Sequence, residues 1–595
     1  MSYSKFGERS YYDQKEELFM DSWKDEIKDA IGKSSAELGI YNNEEVEKKI
    51  RDLRNEVLEM KEFSFVDGLK ELKKDVGVFV VGGPVRDKVL GRKSKDIDLV
   101  VNRVDPVELI GYLKKYGKVV FDRNPNADLE KMNEADLREL VLNSYGVIKF
   151  KPEGSTMGEL IDIAFPREDD HSNSNKDGIA GIKRDAEVAA DPYLDISQDL
   201  ARRDLTINAM AVDLVSGNIV DPFDGVEDLV KKEIRSVGDP RERILKEDLS
   251  RGFRAMRFCC VIDGKIEQNT LKAIKEIFKP AEKSVAEIYA GNSNLNEILE
   301  YEKEAREEFG IVEGNMPRCL QVFYDKELQK PRLAVSREVI SKEIIKAIGS
   351  NPAKFLEMMD NAGATPVIFP ELERLKGISQ PREHHMEGDV YAHTKMLVGN
   401  LPKNASLRLK LAGLFHDLGK ADSQGEKDGK ITFYGHDKEG GKHIENIFKR
   451  LKLPKELKDD VKWLVENHMF PLSDNAGKIK ASKLEKMFLE NEDLGRDLIA
   501  LSQVDALSSI PEDGEPRLEN INILIDRIKE MKKHAGNKKD TGMSQIITGK
   551  DLIELGLKPG PQFKEILNEI RDAQLTGAIK SRGEGIEMVR GIVGV

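Results

Sequence analysis

The spacing of hydrophobic residues changes abruptly along this chain. Val46, Ile50, Leu53, Val57 and Met60 recur every three or four positions, which predicts helix within a Lys- and Glu-rich extension, residues 1–74. From Val76 that period is lost. Val76 to Val81 is a short β-rich run ended by Gly82-Gly83. Val85 to Leu90 predicts a short helix, and Lys95 to Val101 and Leu160 to Phe165 predict two further strands. Between them, residues 122–145 are charged and read as a helical insertion, and the polar, Gly/Asp/Asn-rich stretch 168–190 reads as a loop. From about residue 226 onward almost every segment has helical period, broken near Pro280, Pro331, Pro366 to Pro370, Pro381, Pro471 and Pro511. The pattern predicts an α+β multidomain protein, a small α/β domain followed by a long helical body.

Composition narrows the class. Charged residues make up 34% and apolar residues 39%, a globular mix rather than a disordered one. The longest apolar run, Val76 to Val85, contains three glycines, and no stretch approaches the ~20 residues of a membrane span. The polar start, Met1 to Glu17, does not read as a secretory signal. Three cysteines (Cys259, Cys260 and Cys319) are too few for a disulfide framework or a Cys-rich zinc site, which points to a reducing, cytoplasmic setting. With 95 Lys+Arg against 108 Asp+Glu, the net charge of −13 argues against indiscriminate nucleic-acid binding but leaves room for a local basic groove.

The first candidate chemistry lies behind the Gly-Gly turn. In a strand over Lys95 to Val101, Asp96 and Asp98 share one face, with Ile97 and Leu99 on the other. Adjacent carboxylates repel unless a cation sits between them. Hard oxygen ligands of this kind suit Mg²⁺, shared with substrate phosphates. Gly82 and Gly83 permit close backbone approach to a phosphate, and Arg86 follows. Asp162, the one charged residue of Leu160 to Phe165, is a candidate third catalytic carboxylate. Taken singly, each feature is more often a solvated strand edge or an ordinary turn. Their order along the chain favours chemistry.

The run Gly82 to Asp87, followed by Asp96-Ile97-Asp98, resembles the first motif of class II tRNA nucleotidyltransferases and bacterial poly(A) polymerases. Further stretches match that family in order: Arg202 to Ala209, Asp221 to Gly225 with Asp228-Leu229, Glu247 to Arg251, Arg254 to Phe258, and near the end Thr548 to Leu552 and Pro559 to Pro561. The resemblance implies a nucleotidyltransferase head (75–225), a base-reading neck (226–280), a helical body (281–380) and a tRNA-binding tail (511–595). It implies template-independent addition of CCA to tRNA from CTP and ATP, with poly(A), CC-only or A-only addition as the alternatives. Asp96 and Asp98 would hold Mg²⁺, and Gly82, Gly83, Arg86, Arg202, Arg203, Asp204, Asn208, Asp248, Arg251, Arg254 and Arg257 would bind nucleotide. Arg202 and Arg203 offer guanidinium forks suited to triphosphate oxygens; an ion-pair cluster with Asp199 and Asp204 is the plainer alternative. A helix over Glu247 to Phe258 would put Asp248, Arg251 and Arg254 on one face, as a base reader or as a simple salt bridge. Gly252 stands where the family usually has an aliphatic residue. Glycine inside a helix costs about 1 kcal/mol relative to alanine, so a looser helix is expected there.

A second constellation is set by histidine. Seven of the nine histidines fall between His384 and His468, where even scatter would put about one. His393, His416, Asp417 and Asp505 resemble the ligand pattern of the HD phosphohydrolase superfamily, with His436 and His468 as further ligands for a second metal. That resemblance implies a domain over 381–510 that uses a divalent transition metal such as Ni, Mn or Fe to hydrolyse a phosphate monoester or a 2′,3′-cyclic phosphodiester. His384, His385 and His443 are not separable from ordinary surface histidines by pattern, nor is Lys420 from a solvated helix-end lysine.

Overall fold

A computed structural model of the chain describes residues 43–94, 97–121, 127–155, 160–170, 179, 181–182, 187–535 and 545–594. Asp96, Lys95, most of the extension before Asn43 and much of 168–190 lie outside the described residues. Two compact units are formed, one reaching Pro370 and including Arg450–Lys452, the other comprising Glu371–Lys449 and the residues from Leu453 on.

The first unit is built on strands β1 (Gly77–Val81), β2 (Leu99–Asn102), β3 (Gly117–Val120), β4 (Val147–Pro152), β5 (Ile161–Ala164), β6 (Arg167–Asp170), β7 (Glu187–Ala190), β8 (Ala211–Asp213) and β9 (Ile219–Val220). Seven of them make one sheet in the order β3-β4-β5-β2-β1-β8-β9, and β6 and β7 form a separate ribbon. Within the sheet β2 and β5 run parallel and every other pair is antiparallel. β1 and β2 are buried on both faces, so they read as continuous apolar runs rather than alternating ones. Helix α1 (Asn43–Glu59) carries the predicted stripe: Val46, Ile50, Leu53 and Val57 are all buried. It braces α2 (Gly83–Val89) through Lys49 Nζ donating to Val89 O at 3.2 Å, and holds the sheet through Arg54 Nε donating to Leu214 O at 2.9 Å. One face of the sheet closes over Phe79, Val81 and Val100, packed with Ile196 and Leu200 of α3 (Ile196–Ala201).

The strand holding Asp98 is shorter than predicted. β2 starts at Leu99, so Asp98 stands just before it, with Val81 N of β1 donating to Asp98 O at 3.3 Å. The single helix predicted over Glu247 to Phe258 is two. A π-helical turn spans Arg241–Glu247, and α4 (Ser250–Ile262) begins after a break in which Asp248 is extended, at φ −155° and ψ 101°. α4 packs against α5 (Gln268–Ile277) and α6 (Arg337–Ser350). The region beyond residue 226 also holds short strands that its helical period hid: Glu233–Ile234 beside Lys265–Ile266, and the hairpins Val322–Asp325/Lys330–Leu333 and Gly425–Lys427/Lys430–Thr432. The last turns at Asp428-Gly429, both at positive φ, a hairpin signal that was present in the sequence.

The second unit gathers α7 (Val390–Asn400), α8 (Leu407–Phe415), α9 (His436–Arg450), α10 (Lys455–Asn467) and α11 (Glu492–Ser508). α11 lies at its centre and is buried almost all round, which is why its sequence lacks a clean polar face. A separate small core, including Ile547, Leu552, Ile566, Ile570 and Val589, holds the C-terminal helices together.

Gly252 does not loosen α4. A Cβ there would lie 2.7 Å from Ile277 Cδ1, so the glycine allows α4 to press closely on α5. Gly252→Ala should therefore destabilise by about 1 kcal/mol, overpacking outweighing the gain in helix propensity. Ile277→Val removes Cδ1 and should recover most of that loss in the double variant. Denaturant midpoints of the four proteins measure this coupling, and simple additivity would contradict the steric account.

Candidate active sites

At the end of β1 the chain turns at Gly82, whose φ of +70° and close approach to Arg203 leave no room for a side chain; a Cβ would lie 2.5 Å from Arg203 Nη1. The turn delivers α2 to the mouth of a cavity of about 480 Å³. Six arginines (Arg86, Arg167, Arg202, Arg203, Arg251 and Arg254) and five aspartates (Asp98, Asp162, Asp199, Asp204 and Asp248) line it, with Gly82, Gly83, Asn208 and Phe258.

The arginines are held by buried acids. Asp199, 1% exposed, accepts from Arg202 Nε at 2.9 Å, Arg203 Nη2 at 3.3 Å and the Arg167 N–H at 3.2 Å. Burial opposes its ionisation, but the Arg203 and Arg202 guanidinium groups hold its carboxyl below the usual range. Asp204 accepts from Arg254 Nε at 2.5 Å and from Asn208 Nδ2 at 3.2 Å; burial is again outweighed, here chiefly by Arg254. Arg86 Nη1 donates to Asn208 Oδ1 at 2.7 Å, and its guanidinium lies 4.8 Å from the Phe258 ring centre. The ion-pair cluster weighed from sequence is thus present, and it is the scaffold of the cavity wall.

The structure rearranges the base-reading residues. Arg251 bonds Glu247 at 2.6 Å rather than Asp248. Asp248 Oδ1 instead accepts from the Ser250 N–H at 2.9 Å, at the start of α4. Both still line the cavity, Asp248 from the helix break and Arg251 from the first turn of α4. Arg257 is not among its lining residues: its guanidinium pairs with Glu343 and stacks 3.8 Å from Phe258. Asp98 and Asp162 face the cavity, Asp162 with Lys149 Nζ at 2.6 Å, while Asp96 lies outside the described residues. Asp199 was legible as an ion-pair partner of Arg202 and Arg203, and Phe258 only as the end of a motif, while Arg167 was not singled out by sequence, because nothing local marks it.

The second site is built from helix ends. His416 follows α8, His436 opens α9 and His468 follows α10. Each Nδ1 meets the carbonyl three residues earlier: Gly413 O at 3.0 Å, Phe433 O at 2.8 Å and Val465 O at 2.6 Å. That bond makes Nδ1 the donor and turns each Nε2 lone pair inward. α7 adds His393 and α11 adds Asp505. All six expected ligands are buried and form two groups, His393/His416/Asp505 and Asp417/His436/His468. His393 Nε2 is 2.9 Å from Asp505 Oδ1, His416 Nε2 is 3.1 Å from Asp417 Oδ2, and His436 Nε2 is 3.6 Å from Asp417 Oδ1. Burial disfavours a charged imidazole at His393, but Asp505 and Glu387 outweigh it and push it up to about 9. Burial and the imidazoles of His436 and His416 push His468 down to about 4. Burial opposes ionisation of Asp417, yet His416 and Lys420 keep its carboxyl well below the usual range.

These residues fit a divalent cation. His436 Nε2 and His468 Nε2 face each other at 3.2 Å as two lone pairs, and His416 Nε2 is buried without a hydrogen bond. A cation resolves both conflicts. Of the remaining histidines, His443 pairs with Asp422 at 2.6 Å and His384 is exposed, whereas His385 joins Glu387 beside His393. Glu387 escaped the sequence reading because a glutamate among so many carries no signal of its burial. At a hundredfold excess over Kd, Mn²⁺ should stabilise this unit by about 2.7 kcal/mol. Thermal melts with and without the ion should show the upward shift, and His416→Ala should reduce it; no shift in the intact protein would contradict metal binding here.

Known proteins locate both sites in their families. Residues 78–235 match the poly A polymerase head domain, and residues 385–510 match the HD domain. A protein of Nitrosococcus oceani named multifunctional CCA protein is 27% identical over 380 residues, spanning 64% of this chain and 71% of its own length. The protein of that name from Actinobacillus pleuropneumoniae strain L20 is 28% identical over 405 residues, 66% of this chain and 75% of its own. Among solved structures, the Bacillus stearothermophilus CCA-adding enzyme in complex with CTP shares the fold, with TM-score 0.50 and 18% identity over 90% of this chain and 98% of that one. The Thermotoga maritima CCA-adding enzyme complexed with tRNA is alike in fold, with TM-score 0.50 and 19% identity over 91% and 98%. The chain therefore carries a poly A polymerase head domain over residues 78–235, which supply most of the arginine-lined cavity, and an HD domain over residues 385–510, which holds the histidine cluster, and over about two thirds of its length it is similar to proteins named multifunctional CCA protein.

Proposed function

We propose that this protein adds CCA to the 3′ end of tRNA from CTP and ATP, and that its HD domain hydrolyses phosphate esters. The observation that carries the first part is the cavity itself. Six arginines on a wall fixed by buried carboxylates suit a triphosphate, and Asp98 and Asp162 stand on the same surface. Mg²⁺ held by Asp98, with Asp96 from the same motif, would lower the pKa of the RNA 3′-hydroxyl and stabilise the leaving pyrophosphate oxygen. Arg202 and Arg203, fixed by Asp199, orient the triphosphate. Phe258 and Arg86 close one side of the nucleotide site. Asp248 keeps Oδ2 for a base amino group while Oδ1 caps α4, and Arg251 supplies donors from the first turn of α4. An acceptor and a set of donors fixed together at the start of α4 would select cytosine and then adenine without a nucleic-acid template. The tail over 511–595 would hold the tRNA. In the HD domain over 381–510, a transition metal such as Ni, Mn or Fe would supply a metal-activated water. His393, His416, Asp417, His436, His468 and Asp505 would hold it, and Lys420 stands beside Asp417 at 2.7 Å.

The deciding assay supplies tRNA ending at the discriminator base, Mg²⁺ and each nucleotide set, followed by sequencing of the 3′ ends. Added CCA supports the reading, whereas oligo(A), CC alone or A alone would replace it with the corresponding relative. Asp98→Ala should reduce addition at least a thousandfold while tRNA binding persists. His416→Ala should end hydrolysis and leave addition at its normal rate; joint loss of both in folded protein would contradict two separate sites. Asp248→Ala should relax selection against UTP and GTP, because a site built to hydrogen-bond a base rejects the wrong one strongly. Values of kcat/KM for all four nucleotides test this, and unchanged ratios would remove Asp248 from base reading.

A further inference from the structure

We infer that Glu387 is a positioning residue that makes the two metal positions of the histidine cluster unequal, the His393/His416/Asp505 position being the tighter. The inference rests on the HD reading of the cluster and adds an order of filling to it. Three of the four cluster histidines are backed by neutral carbonyls, those of Gly413, Phe433 and Val465. His393 alone is backed by a carboxylate: its Nδ1 lies 3.0 Å from Glu387 Oε1.

The Glu387 side chain is 0% exposed and held from three sides. His385 Nδ1 lies 2.7 Å from the same Oε1, and the Ile510 N–H donates to Oε2 at 2.9 Å. Met386 N donates in turn to Ile510 O at 2.7 Å, so the loop before α7 is clamped to the residues after α11. This clamp leaves the carboxylate little freedom to turn away from His393. A carboxylate behind a ligand imidazole fixes its tautomer and raises its basicity, and removing such a partner typically weakens metal affinity about 10–100-fold.

The other position carries the opposite bias. Asp417 turns Oδ1 toward His436 and His468, at 3.6 and 3.9 Å, while Lys420 Nζ lies 2.7 Å from its Oδ2, the oxygen on the His416 side, so the one carboxylate of the Asp417/His436/His468 group already has its charge partly matched. The negative charge behind His393, against the partly matched carboxylate of Asp417, favours filling the His393 position first.

The test is a Mn²⁺ titration of the full chain after chelation, with free Mn²⁺ followed by electron paramagnetic resonance. The intact protein should show two classes of site. Glu387→Gln should weaken the tighter class about 10–100-fold and leave the weaker class in place, which also reports an intact fold. His436→Ala should delete the weaker class and spare the tighter, and it decides the assignment even where the Glu387 variant fails to fold. Two equal sites in the intact protein, an unchanged tighter class in Glu387→Gln, or loss of the tighter class in His436→Ala would overturn the inference while leaving the HD reading standing. Absence of any Mn²⁺ binding would overturn that reading itself, and this inference with it.

Discussion

Asp199 is a carboxylate with 1% exposure placed among three arginines. A buried charge is tolerable only when it is matched, and removing one partner of such a pair typically costs about 3–5 kcal/mol. Here the match is made by Arg202 and Arg203, and their guanidinium groups are thereby fixed on the cavity wall rather than loose in solvent. Asp204 does the same for Arg254, and Glu247 for Arg251. The cavity depends on these pairs throughout. The acids hold the arginines in place, the arginines keep the acids ionised, and an incoming polyanion meets cations that are already oriented.

The histidine cluster solves a related problem with neutral groups. Several imidazoles cannot be buried together as cations, because like charges repel at these distances. Three of the four sit at helix ends, His416 and His468 after α8 and α10 and His436 at the start of α9, where a nearby backbone carbonyl takes up Nδ1–H and Nε2 is offered to the centre. His393 lies inside the first turn of its helix, where the carbonyls are committed to the helix, and it uses Glu387 instead. The difference in backing follows from where each histidine sits on its helix.

The two centres therefore use the same residue types to opposite ends. In the cavity, cations are exposed on a bed of buried carboxylates, an arrangement for binding an anion. In the cluster, carboxylates and lone pairs converge inward, an arrangement for binding a cation. An acidic chain of net charge −13 sustains both because the charge that matters is local and fixed by burial.

Much of this was legible in the chain as a sequence. The apolar stripe of α1, the buried run of β1, the Gly82 turn, the ordered family motifs and the crowding of histidine before His468 are all local patterns, and local patterns survive in one dimension. The chain alone also marked Asp98, Arg203, Asp248 and the six residues of the histidine cluster as candidates. Most distant partners were not legible. The sequence placed Asp248 beside Arg251 on one helix, whereas the break at Asp248 gave Arg251 to Glu247 and left Asp248 at the cap. It offered Arg257 to the nucleotide, whereas Glu343, 86 residues away, takes it. It passed over Glu387 as one acid among 108, although Asp199, three and four residues before its arginines, was legible as an ion-pair partner. Which carboxylate a buried cation meets is decided by which helices and strands come to rest against one another. That is a property of packing, and no spacing along the chain records it.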